Sequence, residues 1–393
     1  MENKRIFLLI FVSVIFLGLR LWNLEKRINF SMDQGLFSLR AYEIWKNKEI
    51  TLIGPPASPT VEGRQFFQGP LIYYSIVTLG LLSNWDPIKM GYLLCGLGLF
   101  ANLILWRILK NVINEEVAWL YLILITFFPL SIKYSNFIWN PNFLLVIAPL
   151  LIGSMLKKWY FVTGLLLGLG GQYHYQFVLM WIVVILFVWF KSKKIKNIIL
   201  VVAGIIIGWA PLIIFDIRNN FYNLRTILLW LQLKNSDKLV FQEYYLLYLV
   251  PILISLAAYY LSKLNNKIKV IVLIIISYWG VRSAIILNKK WTYSDLVETR
   301  NIIENQTDNK FNIVNLSDGD SRFYSLRYLL NLSNKKPESV ENYKNIDALY
   351  VLVKKEEELK IKNSNLWEIR EFNGEISQMW PINSYFNLFL IKK

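Results

Sequence analysis

Residues 88–106 read IKMGYLLCGLGLFANLILW, nineteen positions with a single charge, Lys89, at the leading edge. As a helix rising 1.5 Å per residue the run reaches about 28 Å, close to the roughly 30 Å hydrocarbon core of a bilayer. Runs of the same character recur at 6–22, 117–132, 142–156, 159–173, 176–190, 198–215, 243–262 and 268–287. With 88–106 they make nine candidate spans. Composition agrees. The chain is 55% hydrophobic and 18% charged, where an ordinary soluble domain carries about 25% charged residues. One more apolar stretch, 70–83, would reach only about 21 Å as a helix. It is expected to lie in or dip into the outer face.

Charge orients the spans. The formal net charge is +16, yet the basic residues fall in short loops between apolar runs, so nucleic acid is not the expected partner. With a cytoplasmic N-terminus, the inner loops 1–5, 107–116, 157–158, 191–197 and 263–269 hold 13 Lys and Arg in 31 residues. The outer loops 23–87, 133–141, 174–175 and 216–242 hold 11 in 103. That asymmetry is the positive-inside bias. A tenth span at 70–83 would turn Lys191, Lys193, Lys194 and Lys196 outward. Spans 159–173 and 176–190 must then form a tight hairpin. No small-residue cleavage site follows the first apolar run, which is read as a retained span. The single cysteine, Cys95, lies within a span, so neither a disulfide nor a cysteine-built metal site is expected.

The outer face thus gathers the loop 23–87, the turn KYSNFIWNP at 133–141, the turn QYHYQ at 172–176, the loop beginning DIRNN at 216, and the C-terminal region. Residues 1–287 read as a membrane domain and 288–393 as a small extracytoplasmic α/β domain. In the latter, FNIVNL, DALYVLV, LWEIREF and YFNLFLI are expected as strands, and TYSDLVETRNIIEN and SRFYSLRYLLNL as helices.

Within the first outer loop, SMDQGLFSLRAYEIW (31–45) begins with Ser31 and carries Gln34 three residues on. That is a capping-box signature, and it places Asp33 in the first turn of a helix. Leu36, Phe37, Ala41, Ile44 and Trp45 would share one face, letting the helix lie on the membrane. Asp33 then has two readings. It complements the helix dipole, or it is a general base presented at the lipid surface.

Three features in this order resemble a family. They are an acidic residue in the first outer loop, the run Phe67-Gln68-Gly69-Pro70-Leu71-Ile72-Tyr73-Tyr74 later in it, and the turn Pro129-Leu130-Ser131-Ile132-Lys133-Tyr134-Ser135 after the third span. Together they are similar to the GT-C glycosyltransferases, in the branch of protein O-mannosyltransferases and the lipid A aminoarabinose transferase. The likeness covers roughly residues 5–215, and the C-terminal domain matches in position only. It implies a sugar donor carried on a polyprenyl phosphate, transfer on the extracytoplasmic face, and inversion at the anomeric carbon. The family's catalytic acid falls on Asp33. Its usual glutamate neighbour is Gln34 here, and its His- or Lys-Pro-Pro is Gln68-Gly69-Pro70. Charged residues often found after the third span are replaced by Asn136, Asn140 and Asn142.

Such a transfer needs a base for the acceptor hydroxyl, cations for the leaving phosphate and an apolar groove for the prenyl chain. Arg40, Arg64, Lys133, His174 and Arg218 are the outer-face candidates for binding the phosphate. Each is also explicable as solvated or headgroup-binding charge, and His174 as an interfacial ring between two tyrosines. Gln34, Gln68, Tyr134, Asn140 and Gln172 are candidates for positioning donor or acceptor. Asp216 and Arg218 are expected to pair with each other. His174 is the only histidine, so a dedicated metal site has no support in the sequence, and no cofactor is implied.

A polytopic lipid or solute transporter is the rival reading. It predicts charges near the bilayer midplane or paired broken helices. Away from the leading edges of the spans, where Lys89, Glu243 and Lys269 stand, only Arg20 and Arg282 lie within them, and Arg107 lies just beyond one.

Overall fold

The computed structural model describes residues 2–28, 30–232, 242–286, 289–306, 310–317, 319–333, 335–357, 361 and 366–393. The chain divides into two compact units: Met1–Trp22 with Ile44–Ile286, and Asn23–Glu43 with Leu287–Lys393. The expected boundary at 287/288 lies outside the described residues. Residues 23–43, read from sequence as an outer loop of the membrane domain, pack instead with the C-terminal unit.

The first unit is helical. Its helices are α1 (Glu2–Leu21), α3 (Leu71–Ser83), α4 (Pro87–Val112), α5 (Glu115–Phe127), α6 (Pro129–Tyr134), α7 (Leu144–Leu156), α8 (Tyr160–Tyr173), α9 (Leu179–Ser192), α10 (Ile195–Gly208), α11 (Ala210–Arg218), α12 (Tyr222–Gln232), α13 (Leu249–Leu261) and α14 (Asn266–Ile285). Three helical stretches, Pro87–Val112, Tyr175–Ser192 and Asn266–Ile285, are long and apolar enough to cross a membrane. The pair α10 and α11, bent by 67°, makes a fourth if counted as one span. Several of the nine expected spans are shorter helices. A 13-residue helix such as α5, α7 or α13 reaches only about 20 Å.

Two expected spans are broken, both at proline. The run 117–132 breaks between α5 and α6, where Phe128 is extended and Pro129 starts the next helix. The run 198–215 breaks at Trp209. Pro211 offers no N–H to Ile207, and the Leu212 N–H turns back to the Trp209 carbonyl at 3.1 Å. The carbonyl of Gly208, orphaned by the bend, accepts a hydrogen bond from Gln172 Nε2. The hairpin expected within 159–190 is seen as α8 and α9, broken at His174.

Helices α8 and α10 meet backbone to backbone. Gly164-x-x-x-Gly168 faces Gly204-x-x-x-Gly208, and a Cβ on Gly164 would stand 1.9 Å from the Val201 carbonyl oxygen. Small residues at four-residue spacing permit that approach between apolar helices, where lipid leaves no hydrophobic force to drive association. A second core forms where α5 meets α4 and α13, around Leu105, Tyr121, Leu122, Ile125, Val250 and Ile254.

Arg20, fully buried in α1, ties the α5–α6 break together. Its Nη1 donates to the carbonyl of Thr126 at 3.0 Å and its Nη2 to that of Ile125 at 2.9 Å. Nη2 also reaches Ser131 Oγ at 2.9 Å. A cation is favoured there because the last carbonyls of a helix have no partner within it and carry partial negative charge.

Between Ile50 and Leu71 the chain forms a hairpin the sequence did not suggest, β1 (Pro56–Val61) against β2 (Arg64–Phe67). Glu62 and Gly63 make its turn, both at positive φ, as a two-residue hairpin turn of the primed type requires.

In the second unit a four-stranded sheet has the order β3 (Phe311–Asn315), β4 (Ala348–Lys354), β6 (Phe386–Lys392), β5 (Glu375–Pro381). β3 and β4 are parallel, and the other pairs are antiparallel. The expected helices appear as α15 (Tyr293–Glu304), with a complete capping box on Thr292, and α16 (Tyr324–Leu332). LWEIREF is a correction: Trp367–Phe372 is helical. Glu368 and Phe372, four apart, are its buried positions. Asn373 at φ 49° then ends the helix ahead of Gly374 and the chain enters β5, a strand missed in the sequence.

Candidate active site

Helix α2 (Met32–Asn47) carries Asp33 in its first turn, as the capping signature indicated. Half of the box forms. Gln34 Oε1 accepts the Ser31 N–H at 2.8 Å, and the Ser31 hydroxyl points to the same oxygen. Gln34 is therefore buried in the cap.

The helix does not lie on a surface by the face expected. Phe37, Ala41 and Ile44 are buried, as are Gln34, Gly35, Ser38 and Leu39. Gly35 explains part of this: a Cβ there would stand 2.4 Å from the backbone of Ser325 in α16. Phe30 packs on Tyr293 and Tyr328, and the Tyr293 N–H reaches the Ile28 carbonyl at 3.0 Å. Trp45 is exposed at its edge and packs against Trp85 with 5.4 Å between ring centroids. The more open face holds Asp33, Leu36, Arg40 and Glu43, at the spacing of one helical stripe. Asp33 and Arg40, seven residues apart, are separated along the axis by about 10 Å. Arg40 Nη1 lies 3.4 Å from Glu43 Oε2.

In the helical unit three of the expected positioning residues, Gln68, Asn140 and Gln172, come together, and their hydrogen bonds brace a loop. Asn140 Nδ2 donates to Gln68 Oε1 at 2.8 Å and to the Tyr173 carbonyl at 3.0 Å. The Gly69 N–H reaches the Gln172 carbonyl at 3.0 Å, and a Cβ on Gly69 would meet the Gln172 side chain at 2.4 Å. Gln-Gly-Pro at 68–70 therefore lets the loop backbone press onto the end of α8. Asn223 clamps the preceding residue from both sides, accepting the Phe67 N–H at 2.9 Å and donating to its carbonyl at 3.1 Å. Asn136 and Asn142, like Asn140, are buried donors to backbone carbonyls.

Lys133 and Tyr134 meet a partner the sequence reading missed. Glu243 forms an ion pair with Lys133, and the Tyr134 hydroxyl donates to the same carboxylate oxygen at 2.8 Å. Glu243 was assigned to the start of the span 243–262. In the structure it opens a 3₁₀ turn, Glu243–Leu246, and α13 begins only at Leu249. A glutamate at the head of an apolar run was the signal that the run starts later. Burial alone would raise the Glu243 carboxyl, but the donors from Lys133 and Tyr134 outweigh it and hold it below the usual range. Beside this group, rings of Trp139, Tyr244, Tyr245 and His174 contact in sequence. Burial pushes His174 down to about 4, so at neutral pH it is an uncharged imidazole.

Arg64 is exposed at the hairpin turn and Arg218 is exposed at the end of α11. The expected Asp216–Arg218 pair is not formed. Asp216 Oδ1 instead accepts the Asn223 N–H at 2.7 Å, capping α12. Among the described residues no three His, Cys, Asp or Glu side chains gather to hold a metal ion.

This arrangement of helices is the GT-C fold, a fold built on helices that could span a membrane. Its likeness is to ArnT, the lipid A aminoarabinose transferase. ArnT from Cupriavidus metallidurans, in a crystal structure bound to undecaprenyl phosphate, superposes with a TM-score of 0.64 at 10% identity, covering 100% of this chain and 98% of that one. The apo crystal structure of the same protein gives 0.61 at 10% identity, over 99% and 98%. No protein-family model matches the chain, and no curated protein matches its sequence.

Proposed function

We propose that the chain is a multi-pass membrane glycosyltransferase that moves a sugar from a polyprenyl-phosphate donor to an acceptor on the extracytoplasmic face. One observation carries the reading: end-to-end likeness to a transferase whose crystal structure holds undecaprenyl phosphate. The presentation of Asp33 and Arg40 on the more open stripe of α2 supports it. In this reading Asp33 is the general base. It takes the proton of the acceptor hydroxyl as the oxygen attacks the anomeric carbon, and the lipid phosphate leaves from the opposite face with inversion. Arg40, Arg64, Lys133 and Arg218 are the cations available to the leaving phosphate. His174, uncharged at neutral pH, is left with hydrogen bonding to sugar or phosphate. The carboxamides of Gln68 and Asn140, with the backbone carbonyl of Gln172, act at one remove, by holding the 67–70 loop in place. Residues 1–287, apart from the segment 23–43 that packs with the C-terminal unit, form the membrane domain and 288–393 the outer domain, with the N-terminus cytoplasmic. The sugar is a hexose or pentose, and the acceptor a glycolipid, glycan or protein.

The test is transfer by purified protein from polyprenyl-phosphate-linked sugars, with Asp33→Asn as the informative variant. It preserves size and cannot accept the proton. Loss of a general base costs typically 10²- to 10⁴-fold in rate, whereas losing a favourable charge in the first turn of a helix costs only about 0.3–1 kcal/mol of stability. The variant is expected to fold and to lose nearly all transfer. Near-normal transfer refutes Asp33 as base, and an unstable variant assigns Asp33 to the helix dipole.

A further inference from the structure

Lys133 Nζ and Tyr134 Oη point at one oxygen of Glu243. Two adjacent donors converging on one anionic oxygen form an anion site, here occupied by a carboxylate of the same chain. The two sides of the contact are held differently. The donors stand on α6, whose start is fastened by Arg20 through Ser131 and the last carbonyls of α5. Just beyond α6, Asn136 Nδ2 donates to the Arg20 carbonyl at 2.8 Å. The acid stands on the separate 3₁₀ turn before α13. Removing the carboxylate would therefore leave the donors in place. The contact is also within reach of solvent: the side chains of Lys133 and Glu243 are 57% and 48% exposed. An ion pair so exposed is weak, worth at most a small factor in an equilibrium, so an incoming anion can displace it.

We propose that Lys133 and Tyr134 form a site for the phosphate of a polyprenyl phosphate, and that Glu243 occupies it until the lipid arrives. The proposal rests on the functional reading above. Glu243 is in this sense a positioning residue. It covers both donors in the empty protein and sets the affinity at which a phosphate replaces it. A dianionic phosphate wins over the carboxylate, and a neutral or zwitterionic lipid does not.

The experiment compares wild type, Glu243→Gln, Lys133→Ala and the double variant in phosphatidylcholine nanodiscs. Each is titrated with undecaprenyl phosphate, with undecaprenol, which lacks the phosphate, and with phosphatidylglycerol. Glu243→Gln is expected to bind undecaprenyl phosphate at least threefold more tightly, with undecaprenol and phosphatidylglycerol unchanged. The gain is expected to vanish when Lys133→Ala is added. Unchanged or weaker binding by Glu243→Gln, or a gain that survives without Lys133, overturns the proposal and leaves the functional reading standing. An equal gain for phosphatidylglycerol assigns the site to bulk headgroups and also overturns it. Absence of undecaprenyl phosphate binding by every protein sinks the functional reading, and this inference with it.

Discussion

His174 shows how much a single residue's meaning depends on its surroundings. In the sequence it is a candidate cation between two tyrosines. In the structure its ring is hemmed in by Tyr244 and Tyr245, with the Gln176 N–H directed at Nδ1. Burial lowers its pKa from 6.5 to about 4. The consequence for stability has a definite sign. Between those values the unfolded chain takes a proton that the folded chain refuses. The contribution of His174 is therefore complete above about pH 6.5 and is lost as pH falls toward 4, on the order of 3 kcal/mol in all. A His174→Gln variant is expected to lose less of its melting temperature than wild type between pH 7 and pH 4.5, measured in detergent. Parallel losses would show that the ring is not shielded from protonation. Asp33 and Lys133 were legible as candidates because charged residues are conspicuous beside apolar runs. Glu243 was not, because a hydropathy window averages one carboxylate away against the apolar residues that follow.

At the scale of elements, the packing of α8 on α10 depends on glycine at 164 and 204. A Cβ on Gly204 would stand 2.3 Å from the Phe161 carbonyl oxygen. The obstacle is backbone, so no rotamer change relieves it, and overpacking of this kind costs about 1–3 kcal/mol or more. Gly204→Leu is expected to lower the melting temperature and the yield of monodisperse protein. Gly96→Leu is the control, because nothing lies within 4 Å of a Cβ there and the change is expected to be tolerated. Equal damage from both would mean that leucine itself, rather than helix contact, is the cause. The two G-x-x-x-G repeats stood in the sequence unread, since nothing local says which helix a glycine stripe meets. The breaks at Phe128 and Trp209 were marked by Pro129 and Pro211, yet hydropathy ran straight through them. In the second unit, β3, β4 and β6 were legible because they are apolar runs of strand length. β5 escaped because it is an exposed edge strand with little apolar pattern.

For the molecule as a whole, the proposed arrangement places the C-terminus and residues 288–393 outside the cytoplasm, on the strength of the loop-charge bias. A reporter that functions only beyond the membrane, fused after Lys393, is expected to be active. A second reporter inserted at Lys193 is expected to show cytoplasmic exposure. Cytoplasmic activity at the C-terminus would reverse the topology and remove Asp33 from the face on which the proposed transfer takes place.

The sequence by itself determined the class of fold. Long apolar runs, basic short loops and a polar C-terminal region are properties of composition along the chain, and they survive any detail of packing. It also determined the helix start at Ser31, because a cap is a local hydrogen-bonding problem solved by residues three apart. Tertiary structure alone decided what α2 packs against, since the close approach of Gly35 to Ser325 joins residues 290 positions apart in the chain. It alone decided that Gln68, Asn140 and Gln172 brace a loop, and that Lys133 and Tyr134 share the carboxylate of Glu243. Those are pairings between distant segments. Their energies depend on distance and orientation in space, which local pattern does not encode.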